Sequence, residues 1–139
     1  MSQNVKQGES GRPFYFATVP EFNLSSFTRM ELRWTKPSGK QMIRDSSGSA
    51  VRLGTSTVFV TALSATLSAN TYALYTIGTG SAGEVDEKGD WKVRLTYEVS
   101  TDSPVTRLVS DKFDSADNAV IMTVDAGVVS SSGVSADGP

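Results

Sequence analysis

Neither cysteine nor histidine occurs anywhere in the 139-residue chain. Without thiols there is no disulfide and no thiolate metal site, and folding in a reducing cytosol is the natural expectation. Without imidazole, the commonest general base and the commonest metal ligand are missing together. An excess of charge is missing too. The chain has 13 Lys and Arg against 15 Asp and Glu, a formal net charge of −2, so no global cationic field is there to hold nucleic acid. Apolar runs are short, residues 119–122 being among the longest, whereas a helix crossing a bilayer needs about 20. Residues 1–8 are polar and lack an apolar h-region, which argues against a secretory signal peptide.

What is present suits one soluble domain. Hydrophobic residues make up 38% and charged residues 20%, too apolar for a disordered chain and long enough to bury a core. The clearest pattern is alternation with period two. In 29–35, Met30, Leu32 and Trp34 fall on one face and Arg29, Glu31 and Arg33 on the other. In 90–98, Trp91, Val93, Leu95 and Tyr97 point inward. A helix would split Met30 from Leu32, so both stretches read as strands with one buried face.

Weaker strands are expected at 13–19, 41–44, 51–53, 57–61, 72–77, 106–113 and 119–124, with a turn at Lys36-Pro37-Ser38-Gly39. A short helical turn is allowed only within 63–70. The spacing predicts an all-β antiparallel sandwich over 12–125, preceded by a segment 1–11. Residues 126–139 are Gly/Ser-rich and predict a flexible arm. The expected core is Phe16, Met30, Leu32, Trp34, Val58, Val60, Tyr72, Leu74, Trp91, Val93, Leu95, Leu108 and Phe113. Both tryptophans read as core rather than as a binding platform.

Motifs with chemistry are few. Residues 78–83 match G-x-G-x-x-G, but a dinucleotide site needs a helix next, and a strand pattern follows. A hairpin loop is the expectation. Carboxylates gather at Glu84, Asp86, Glu87 and Asp90, and at Asp111, Asp114 and Asp117. Neither set has the calcium-loop pattern. Solvated turns are expected, with Asp114 and Asp117 the residual candidates for a weak divalent site. Ser10 is not in a nucleophile elbow. Asn23-Leu24-Ser25 fits a glycosylation sequon that has no meaning without secretion. No enzyme activity and no cofactor are expected.

Charge is uneven along the chain. Arg29, Arg33, Lys36, Lys40, Arg44 and Arg52 crowd 29–52, four acids occupy 84–90, and five aspartates follow from 111. The pattern fits either a mixed polar surface or complementary faces between subunits.

Two strings carry a family likeness. Residues 30–40, a strand running into Lys36-Pro37-Ser38-Gly39, and residues 84–98, with Gly89-Asp90-Trp91 opening an alternating strand, resemble small virion proteins of tailed phages. The likeness is to the immunoglobulin-like N-terminal domain of baseplate upper proteins. The opening at 8–16 and the stretch 107–113 fit the same pattern, which covers roughly residues 8–114. The resemblance implies an immunoglobulin-like sandwich in a virion assembled in the host cytoplasm. Its partners would be other virion structural proteins and copies of itself, with neither nucleic acid nor membrane. Such baseplate domains often continue into a coiled coil or receptor-binding region. Here one apolar segment and the arm follow, which favours an adaptor or cement over a host-binding role; a tail, baseplate or fibre-attachment adaptor is the first reading. A capsid decoration or cement protein is the alternative. A carbohydrate-binding module, using Tyr15, Tyr75 and Tyr97, is a third. The expected interface residues are Arg33, Lys36, Lys40 and Arg44, with Val128, Val129 and Val134 of the arm suited to adding to a neighbour's sheet edge.

Overall fold

The computed structural model describes residues 2–18, 22–47, 50–81, 83–111 and 120–126. Eleven strands follow in order: β1 Ser2–Lys6, β2 Pro13–Ala17, β3 Arg29–Thr35, β4 Gln41–Asp45, β5 Val51–Leu53, β6 Val58–Val60, β7 Ala65–Leu67, β8 Tyr72–Thr76, β9 Gly89–Val99, β10 Thr106–Ser110 and β11 Val120–Asp125. The expected all-β sandwich is what forms. The larger sheet runs β1-β11-β9-β3-β4, and β10 continues the β11 side of β9. The smaller sheet is β2-β8-β5.

The two clean alternating strands form the centre. β3 and β9 pair antiparallel from Arg29 opposite Glu98 to Thr35 opposite Lys92. Their inward residues, including Trp34, Trp91 and Leu95, are fully buried. Trp34 lies against Phe14 and Tyr75 of the smaller sheet, with ring centroids 5.4 and 5.2 Å away. These contacts join the two layers. Burying each such side chain contributes roughly 1.5–3 kcal/mol.

The smaller sheet is covered on both faces. Its outer face meets the β6–β7 hairpin, which forms a second cluster of Val60, Leu67 and Tyr72 with Tyr15, Val58 and Leu74 packed around them. Val58 and Leu74 are therefore half-buried members of this satellite rather than of the main core. Leu108 is also half-buried, at the margin of the main core. Phe113 lies outside the described residues.

Two expectations need correction. The helical turn falls at Thr61–Leu63, and Ala65–Leu67 is a strand, because the chain must reverse to bring Leu67 under the hairpin. The segment 1–11 does not merely precede the sandwich. Ser2–Lys6 pairs parallel with β11, and Val5 enters the main core.

Candidate functional site

The G-x-G-x-x-G loop closes on a buried polar knot. Glu84 follows the loop, and its side chain is 2% exposed. The Tyr75 hydroxyl lies 2.8 Å from both of its carboxylate oxygens. Arg44 Nη2 donates to Oε1 at 2.9 Å and the Gly78 amide to Oε2 at 2.7 Å. The Gly80 amide donates to the Tyr75 oxygen at 3.0 Å. Burial, and then the neighbouring carboxylate, push the Tyr75 phenol up. Burial opposes the charge on Arg44, but its bonds to Glu84 and Tyr75 outweigh that and raise its pKa.

The glycines answer to this packing. Gly78 has φ of +96°, and a Cβ on Gly80 would stand 2.1 Å from Arg44 Nε. The chain's own carboxylate accepts the Gly78 amide that a phosphate would use, and strand β9 follows the loop rather than a helix.

The acids of 84–90 do not share a site. Asp86 pairs with Lys36 Nζ at 2.7 Å, which holds its carboxyl below the usual value. Glu87 accepts from the Ser38 amide and hydroxyl. Asp90 accepts from the Thr123 hydroxyl. Lys36 also stands 5.1 Å from the centre of the Trp91 ring. Among the described residues no group of three or more acids is placed to hold a metal ion. Asp114 and Asp117 lie outside them.

Of the expected interface residues, Lys36, Arg44 and Arg33 thus pair with acids of their own chain, Arg33 with Glu31. Lys40 is exposed beside the Lys36–Gly39 turn. Arg33 is on the outer face of the larger sheet. Val128, Val129 and Val134 lie outside the described residues. Tyr75 and Tyr97 are buried and Tyr15 is half-buried, so Tyr75 and Tyr97 offer no exposed aromatic platform.

The outer face of the larger sheet carries the cations that reading the strands singly does not bring together. Arg33 stands directly opposite Arg94, and Lys92 opposite Thr35. With Gln41 and Asp111 these residues line a cleft of about 160 Å³. Glu31 bonds both Arg29, at 2.8 Å, and Arg33, at 3.2 Å. Alternation already turns Lys92 and Arg94 outward; the β3–β9 register that sets Arg33 against Arg94 has no local signature. No family model, no curated protein and no solved structure matches this chain.

Proposed function

We propose that the chain is a non-enzymatic structural component of a tailed-phage virion, an immunoglobulin-like adaptor of the tail, baseplate or fibre attachment. It acts by docking onto other virion proteins and copies of itself. One observation carries the reading. The two strings that resemble phage virion domains, 30–40 and 84–98, supply the paired central strands β3 and β9. Their turns are tied together by Lys36 with Asp86 and by Ser38 with Glu87. The likeness therefore rests on one contiguous unit at the heart of the sandwich, not on scattered short matches. Among the described residues the acids of 84–90 are engaged in holding loops, which supports a binding role over a catalytic one.

Mass spectrometry of purified virions from the phage that carries the gene tests this. The chain should be present in stoichiometric amount, and electron microscopy should place its density on the tail. Density on the capsid surface would make it a decoration protein instead. Its absence from particles would end the virion reading.

A further inference from the structure

We propose that the cleft between β3 and β9 on the outer face of the larger sheet is a docking site for a carboxylate-bearing segment of a partner protein. The inference rests on the reading of the chain as a docking module, but not on its place in a virion. Arg33 and Arg94 face each other across neighbouring strands, an arrangement that destabilises a sheet. Lys92 adds a third cation to the same cleft.

Among the described residues the neutralising charge is incomplete. Glu31 is shared between Arg29 and Arg33. Asp111 comes only to 3.8 Å from Arg94, and both side chains are more than half exposed. Among the described residues Lys92 has no partner. Two like charges set opposite one another on neighbouring strands, and lining a concavity, are what a site shaped for a ligand presents.

The chemistry of the ligand follows from the lining. Two guanidinium forks match a carboxylate in bidentate geometry, and the Thr35 hydroxyl and Gln41 amide offer further donors. Apolar shoulders flank the cations on the same face. Ile43, 42% exposed, is opposite Arg33 on β4, and Val109, 52% exposed, is opposite Thr96 on β10. Such shoulders suit a peptide segment rather than a free anion. A nucleic acid is disfavoured because Glu31, Asp45, Glu98 and Asp111 interrupt the cations, where a phosphate backbone needs an unbroken basic track.

The test is fluorescence anisotropy of a labelled Glu/Leu-rich peptide titrated with the full chain. The wild type should bind it, and more weakly as salt rises. The Arg33→Gln/Arg94→Gln variant should bind about tenfold more weakly with a melting temperature equal to or above that of the wild type, because the like-charge contact is gone. Lys92→Gln, at an exposed position without a partner among the described residues, should also weaken binding and keeps the test valid if the double variant fails to fold. Absence of wild-type binding, or variants that bind as tightly, refutes the proposal. Tighter binding of a single-stranded oligonucleotide refutes it in favour of nucleic acid. Binding seen only after Asp114→Asn/Asp117→Asn refutes it in favour of the chain's own acids filling the cleft. Virions that incorporate the chain while the peptide result is negative remove the cleft and leave the virion reading standing. Peptide binding by a chain absent from virions does the reverse.

Discussion

At the scale of single residues, the two tryptophans look alike in the sequence and differ in the fold. Trp91 donates its indole N–H to the Glu87 carbonyl at 2.9 Å and receives Lys36 on its ring. Trp34 is equally buried, yet its Nε1 has no hydrogen-bond partner among the described residues. Replacement by Phe removes similar volume at each position. Trp91→Phe should therefore cost about 1–2 kcal/mol more than Trp34→Phe, as measured by urea denaturation of both variants. Nothing in the alternating pattern separates the two, because alternation reports which face a residue is on and not what its polar atom meets. Glu84 is a sharper case. Removing it leaves Arg44 without its carboxylate partner and the Gly78 amide without its acceptor, so Glu84→Ala should lose on the order of 3 kcal/mol in the same assay. Arg44→Glu would set a second carboxylate against Glu84 and should destabilise the fold still more, whereas Arg33→Glu, on the outer face, should leave it intact. Asp86 gives a pH signature. Its folded pKa lies below the ordinary 3.8 because Lys36 bonds the carboxylate. A depressed carboxylate pKa contributes stability that is fully present above the unfolded value and is lost as pH falls through the folded one. Subtracting the stability curve of Lys36→Met from that of the wild type should thus give a difference that is constant near neutrality and shrinks below about pH 4. A difference that does not change across that range would show that Asp86 contributes nothing through Lys36.

At the scale of elements, strands with one clean buried face were legible and strands with a polar inner face were not. In β3 and β9 apolar and polar residues alternate along the sequence, and the strand ends fall close to where that pattern stops, although Glu31 on the outward face is itself buried between Arg29 and Arg33. β1 offers only Val5 as an apolar signal, because its other inward residue is Gln3. That glutamine is buried because the middle of β2 supplies both its partners. The Gln3 amide donates to the Tyr15 carbonyl at 2.7 Å and accepts the Tyr15 amide at 2.9 Å. It completes the free edge of β2, as a neighbouring strand would. A long-range match of this kind leaves no local trace. β7 escaped for another reason, being three residues long and inward only at Leu67. Gln3→Ala should leave a partly buried N–H and C=O unpaired and cost about 1–3 kcal/mol. Hydrogen exchange should show the Tyr15 amide losing protection before the β3–β9 amides do. Unchanged exchange at Tyr15 would mean that the edge does not depend on the glutamine.

At the scale of the whole molecule, the sequence made the class of fold plain, and the candidate surface only in part. Arg33 was identifiable as a surface cation from its own strand, but the cleft also needs Lys92 and Arg94, some sixty residues away in sequence. Their juxtaposition depends on the register between two distant strands, and register is set by packing of the inner faces. The same separation between core and surface bears on the arm. Residues 127–139 bring only Val128, Val129 and Val134 as sizeable apolar side chains, and ordering their backbone costs about 1–2 kcal/mol per residue. Contacts within the chain are a poor source of compensation, whereas the edge of a neighbour's sheet offers a ladder of hydrogen bonds. Deletion of 127–139 should therefore leave the melting temperature nearly unchanged while lowering incorporation into particles. Both quantities are read on the same purified variant, by calorimetry and by quantitative mass spectrometry of virions. A marked fall in melting temperature would mean that the segment belongs to the domain. A truncated chain that incorporates as well as the full one would remove the arm from the docking surface and leave attachment to the sandwich alone.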